Sequence, residues 1–348
     1  MIAVWIVFFV FIAFLLALDL GVLNRTSHVI GMREATVWSA IWISTGLAFS
    51  GLVYLGYENH WGGLGTVVGH NLPNTGTEAV MQYITAFLIE KSLSVDNIFV
   101  MAMLFGYFKV PSKYQHKVLF WGIIGALFFR GIMIAVGVAL VQQFDWIFYV
   151  FGVFLIITAV RMLMSNDEEF DPDTSRIIRW ARKVLPLVER YEGDRFVVTI
   201  DGKRYFTLLF LCVLVIEGMD VVFAIDSIPA IFGFTEDAFI VMTSNVFAIL
   251  GLRALYFVVA GAMRHYRYLE MAVSAILVLV GIKMLLHSVL EIAPHWPLIG
   301  VVAMLTAGVV ASIVANKREA RAATSESIEH ADAAEPVKPA EPVEGDAS

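Results

Sequence analysis

Nine stretches of this chain stay apolar for about twenty residues each: 1–22, 35–56, 79–106, 117–142, 146–164, 205–232, 237–262, 268–290 and 296–315. That length spans the ~30 Å hydrocarbon core of a bilayer at ~1.5 Å per helical residue. The core offers no water to backbone N–H and C=O groups, so each stretch must satisfy its own hydrogen bonds as a helix. The expected fold class is all-α: a polytopic transmembrane helical bundle of about nine spans. Composition agrees, with 59% hydrophobic and 16% charged residues and a mean hydropathy of +0.77. The opening run MIAVWIVFFVFIAFLLALDLG lacks a basic n-region and a small-residue cleavage site, so it is read as a retained first span. The single cysteine, Cys212, excludes an internal disulfide and a thiolate metal cluster.

Lys and Arg set the expected orientation. Nineteen of the 24 follow the first, third, fifth, seventh and ninth stretches, eight of them between 165 and 204. The alternate loops 57–78, 143–145, 233–236 and 291–295 hold none, and Lys91, Arg130, Arg161, Arg253 and Lys283 lie inside stretches. The N-terminus is therefore expected outside and the C-terminus in the cytoplasm, which requires an odd number of spans. The net charge of −7 carries little information, because acids and bases are segregated by loop.

The chain divides into a two-span region with an outer loop (1–78), a three-span unit (79–164), a cytoplasmic segment (165–204), a second three-span unit (205–290), a last span (291–318) and a tail (319–348). Within 165–204, DTSRIIRWARKVLPLVERYE patterns as an amphipathic helix interrupted by Pro186, and RFVVTIDGKRYF as a β-hairpin with an Asp-Gly turn. The tail is rich in Ala, Glu, Pro and Ser and is expected to be disordered.

The two three-span units match each other. EKSLSVDNIFV (90–100) and DVVFAIDSIPA (220–230) both read acid, five residues, Asp, then Asn or Ser, then Ile. ALFFRG (126–131) parallels AILGLRA (248–254), and AVRMLMS (159–165) parallels GIKMLLHS (281–288). A tandem repeat of three spans enters the membrane in opposite directions. That is an inverted repeat, whose binding site lies at the repeat interface near mid-bilayer.

Leaving aside Asp237 and Glu270 in the first turns of their stretches, six acids fall inside: Asp19, Glu90, Asp96, Glu217, Asp220 and Asp226. A charge at the bilayer centre costs at least ~2.5–3.5 kcal/mol, so six require a reason. At ~100° per residue, Glu90 and Asn97 share one helix face, with Asp96 about 120° round from Glu90. Asp220 and Ser227 repeat the first relation, Asp226 repeats the second, and Glu217 joins the same arc one turn before Asp220. Pro229 removes a donor and clashes with the carbonyl of residue 225, so a kink or opening is expected near Ile225–Asp226.

Pooled across two helices, Glu90, Asp96, Asn97, Glu217, Asp220 and Asp226 form an oxygen-only ligand set, with Asp19 a further candidate. Such a set suits hard divalent cations such as Mn²⁺, Ca²⁺ and Mg²⁺. A guanidinium cannot bind a cation, so Arg130 and Arg253 are assigned as counter-charges or gating groups. The competing reading is a static bundle whose acids pair with the in-span bases, but concentration of acids on two repeat-related helices favours a cation path. Asn245 either approaches the site or packs between helices. Glu58, His60, His70 and Glu78 read as a polar outer loop rather than a metal trap. No GxxxxGK[ST] pattern is present, so ATP drive within this chain is not expected. A GxGD-type protease motif is approached only by Gly218-Met219-Asp220. No enzyme activity, no tightly bound cofactor and no nucleic-acid partner is expected.

At FLIEKSLSVDNIFV (87–100) and IEGMDVVFAIDSIPAIF (216–232), supported by LALDLG in the first stretch, the sequence resembles the TerC/Alx family of bacterial integral membrane proteins over about residues 1–315. The resemblance implies a multi-pass protein of the bacterial inner (plasma) membrane. It implies a family linked to tellurium resistance and associated with Mn²⁺ efflux, and in some members with metal supply to exported proteins. It implies ion-site roles for Glu90, Asp96, Asn97, Glu217, Asp220 and Asp226, with Asp19 in addition. The expected function is a secondary exporter of divalent cations, Mn²⁺ foremost, working by alternating access at an acidic midplane site with proton coupling. The alternative is a membrane assembly or metal-delivery factor that meets the secretion machinery through 165–204 and the outer loops. A divalent metal ion and the lipid bilayer are the expected partners.

Overall fold

The computed structural model describes residues 1–18, 31–67, 72–164, 176–188, 190–262, 267–286, 289 and 292–333. Asp19, His70, the segment 165–175 and the end of the tail lie outside the described residues. Eleven α-helices carry the described chain: α1 (Ile2–Ala17), α2 (Met32–Glu58), α3 (Gly76–Tyr107), α4 (Ser112–Gln143), α5 (Ile147–Met164), α6 (Arg176–Val184), α7 (Leu208–Phe232), α8 (Ala238–Ile249), α9 (Leu252–Ala262), α10 (Arg267–Leu285) and α11 (His295–Ala333). The fold is all-α and polytopic.

Length and composition let α2, α4, α5, α7, α10 and α11 cross a membrane, and the bent pair α8–α9 makes a seventh candidate. The described residues of the nine apolar stretches lie mostly on helices, but these criteria do not reach the nine spans expected. α1 has only 16 residues, and α3 carries Glu78, Glu90, Lys91 and Asp96. The outer surface of the bundle is apolar, with Ile2, Val136, Val153, Ile157 and Val302 all exposed. α11 also continues to Ala333, so the first half of the tail is helical. Its Ala, Glu, Arg and Lys residues are strong helix formers.

Side-chain caps begin several helices. Thr75 accepts from Glu78 N–H (3.2 Å) and the Glu78 carboxylate accepts from Asn74 N–H (3.0 Å), which opens α3. Glu58 accepts from Gly76 N–H (3.0 Å) and so ties the end of α2 to that cap. Asp237 accepts from the N–H groups of Phe239 (2.9 Å) and Ile240 (3.1 Å) at the start of α8. Glu58 and Glu78 are thus capping groups rather than metal ligands in a loop, and His60 bonds the Leu64 carbonyl (3.0 Å).

The main packing pairs are α3 with α8, α4 with α7, α5 with α10, α2 with α3 and α9, and α10 with α11. α5 meets α10 at Gly152 and Gly281, where a Cβ at either position would press on the other's carbonyl at 2.9 and 2.8 Å. Between α6 and α7, strands β1 (Leu187–Val188), β2 (Val197–Ile200) and β3 (Lys203–Thr207) form a sheet in the order β1-β3-β2. β2 and β3 are antiparallel across Asp201 (φ 50°) and Gly202 (φ 76°), and both positive φ values belong to a type I′ turn.

Two departures from expectation concern helix continuity. α7 runs unbroken through Pro229, which sits in its last turn, so little helix remains beyond it to diverge. The break falls instead between α8 and α9, which meet at 48° at Leu250 and Gly251. Gly251 has φ +78° and its Cα lies against the Trp42 side chain, so no larger residue fits that backbone there.

Candidate ion site

Glu90 on α3, Arg130 on α4 and Asp220 on α7 meet in the interior, each under a tenth exposed. Arg130 Nε donates to Asp220 Oδ2 and Nη2 to Asp220 Oδ1, both at 2.9 Å, a two-pronged guanidinium–carboxylate pair. Arg130 Nη1 donates to Glu90 Oε1. Asn97, seven residues beyond Glu90 on the same face of α3, donates from Nδ2 to Asp220 Oδ1 (3.4 Å). One guanidinium therefore serves two carboxylates from two helices. Glu90 Oε2 is left buried with no hydrogen-bond donor among the described residues.

Glu217, Asp226 and Arg253 are not brought into this cluster. Glu217 faces α4 one turn before Asp220, but its carboxylate lies against Gly125, and neither oxygen has a hydrogen-bond partner among the described residues. It lines an apolar cavity of about 700 Å³ with Phe129, Trp180, Phe210 and Leu214. Asp226 accepts from Thr158 Oγ1 of α5 (3.3 Å). Asp96 lies within α3, and its side chain is outside what is described. Arg253 is buried in the first turn of α9. On α8, which packs on α3, Asn245 is buried, and among the described residues neither its amide nitrogen nor Ser227 Oγ of α7 has a hydrogen-bond partner. Among the described residues no three His, Cys, Asp or Glu side chains are grouped to hold a metal ion.

Sequence reasoning missed Lys91. The sequence shows it only as one of five in-span bases, yet its Nζ donates to the carbonyls of Ala248 (2.9 Å) and Leu250 (3.4 Å) at the α8–α9 break. It missed Gly125 as well, whose lack of a side chain makes room for the Glu217 carboxylate. No sequence signal joins Lys91 to residue 248, because that pairing exists only once α3 packs on α8.

A multi-helix membrane protein with a buried two-acid, one-arginine centre is the class these observations define. The profile of the integral membrane protein TerC family matches residues 75–322. The chain belongs to that family. It is 42% identical over 313 residues to an uncharacterized membrane protein of Myxococcus xanthus, covering 90% of this chain and 92% of the relative. It is 40% identical over 317 residues to a Photorhabdus laumondii protein described as "putative membrane-bound redox modulator Alx" (91% and 96% covered), and 41% identical over 283 residues to a protein of that description from Escherichia coli K12 (81% and 85% covered). No solved structure matches the chain.

Proposed function

We propose that this protein exports divalent cations, Mn²⁺ foremost, across the bacterial inner membrane by alternating access. The observation that carries the reading is the convergence of Glu90 and Asp220, from corresponding positions of two matching sequence units, on one buried guanidinium. Burying two carboxylates is costly, and Arg130 offsets that cost with a charge fixed to the chain. A divalent ion entering between the same oxygens does the same with mobile charge, and Arg130 then withdraws as a gate. Glu90 Oε2 and the Asn97 carbonyl add oxygen ligands, and Asp96 on α3 is assigned to the path. Glu217, about one turn from Asp220 on the α4-facing side, and Asp226, nearly two turns from it on the α5-facing side, are assigned as approach groups. The packing supports two inverted units: exchanging α3 with α7 and α4 with α8 converts the α4–α7 contact into the α8–α3 contact, and α5–α10 maps to itself. In this reading the C-terminus is cytoplasmic, which the distribution of Lys and Arg in the sequence supports. Proton coupling follows if a carboxylate takes up a proton as the ion leaves.

Cys212 is the one cysteine of the sequence and is fully buried, so no thiol exchange is assigned to it. The test is Mn²⁺ uptake into inside-out vesicles, beside Ca²⁺, Mg²⁺ and Zn²⁺. Glu90→Gln and Asp220→Asn are each expected to lower Mn²⁺ flux at least tenfold, a loss of ~1.4 kcal/mol or more in transit. Wild-type flux retained in both variants sinks the site. No flux from the wild type, with co-purification of secretion machinery, points to a metal-delivery factor instead.

A further inference from the structure

α8 ends in the interior of the bundle. Its last helical residue is Ile249, Leu250 turns out with φ −57° and ψ 132°, and α9 starts again at Leu252. A helix C-terminus presents carbonyls without intrahelical partners and about half a negative charge. Of those carbonyls, Val246 is taken by Leu250 N–H (3.0 Å), while Ala248 and Leu250 are taken by Lys91 Nζ. Lys91 comes from α3 and makes no ion pair with a carboxylate among the described residues, although Glu90 precedes it in sequence and turns to Arg130. A single positive charge is thus seated on neutral main-chain oxygens at the negative end of a broken helix. That is the arrangement in which half-helix carbonyl ends of transporters hold alkali cations.

We infer that the α8–α9 break is a monovalent-cation site filled from within the chain, with the Lys91 ammonium replacing Na⁺ or K⁺. The break is held from its other side by Trp42 against Gly251, so removing the ammonium leaves the carbonyls in place and in need of a charge. The ligand class of the emptied site is a small dehydrated alkali cation bound by carbonyl oxygens, and the natural chain needs none.

The experiment is thermal unfolding of the purified full-length chain in NaCl, KCl and choline chloride at matched ionic strength. Wild type is expected to unfold at one temperature in all three. Lys91→Ala is expected to unfold lower in choline and to regain about 2–5 °C, saturably, in NaCl or KCl. Lys91→Met fills the space without charge and is expected to stay low in every salt. Where Lys91→Ala does not accumulate, Lys91→Gln is used, with the same sign of ion effect expected. Cation identity shifting the wild type, or leaving Lys91→Ala and Lys91→Gln unmoved, overturns the inference, as does an equal rescue of Lys91→Met. Flux does not enter the readout, so failure here is separate from failure of the Mn²⁺ reading.

Discussion

Arg130 brings five N–H donors to a buried place, and three of them are spent on two carboxylates. Deleting one partner of a buried ionic group leaves the remainder uncompensated, at a cost of about 3–5 kcal/mol. Arg130→Met is therefore expected to destabilise by that amount, read as a lower unfolding temperature. Glu90→Gln and Asp220→Asn in the same chain are expected to recover most of it, since no charge is then left unpaired. A triple variant as unstable as the single one would show that packing, not charge, was lost. Gly125 makes a second residue-scale case. A methyl there meets the Glu217 carboxylate, so Gly125→Ala is expected to cost about 1–3 kcal/mol by overpacking. Glu217→Ala in addition should relieve it; strictly additive losses in the unfolding temperatures would show that the two residues do not touch. The sequence displayed every one of these acids, and helical spacing put Glu90 and Asn97 on one face. It did not show that Arg130 binds Glu90 and Asp220 together, because which acid meets which base depends on the rotation of α4 between α3 and α7.

Helix continuity shows how far local rules reach. Pro229 signals a break by its own chemistry, yet it stands where α7 is about to end and breaks nothing that follows. Gly251 gives a weak signal alone, and the real break is there because Trp42 of α2 presses on it and Lys91 of α3 caps it. The hairpin, by contrast, was legible, since Asp201-Gly202 specifies its turn within two residues. What docks it was not. Lys117 of α4 donates to the Asp194 carboxylate (2.9 Å) and carbonyl (2.6 Å), and Tyr191 donates to the Phe108 carbonyl (2.7 Å). The hydrogen bond and charge of Lys117 hold the Asp194 carboxyl below its ordinary pKa. A carboxyl so lowered adds stability above its unfolded value, near ~3.9, and loses it as pH falls through the lower folded value. Docking is therefore expected to persist at neutral pH and weaken only in strong acid. Lys117→Ala should speed hydrogen exchange over 187–207 at neutral pH, with α7 unaffected; unchanged exchange there would assign the docking to Tyr191 and apolar contacts alone.

At the scale of the molecule, apolar length told where helices lie, but neither it nor the matching motifs told which pack together. The cross-pairing of α3 with α8 and α4 with α7 interlocks the two units, so motion of one against the other must pass through the faces that carry Glu90, Asn97, Asp220 and Ser227. Ser227 is the position corresponding to Asn97 and is buried with an unpartnered hydroxyl, which makes it a sensor that should leave the helix unperturbed. In a chain carrying Cys212→Ser and Ser227→Cys, a membrane-impermeant thiol reagent reaches residue 227 only when the units part on the reagent's side. Alternating access predicts labelling from either face of the membrane, never from both at once, with Mn²⁺ raising the rate on one side as it lowers it on the other. Simultaneous access from both faces would describe a channel. Rates indifferent to Mn²⁺ would mean that the ion does not act on the relation between the two units, and the transport reading would lose its moving part.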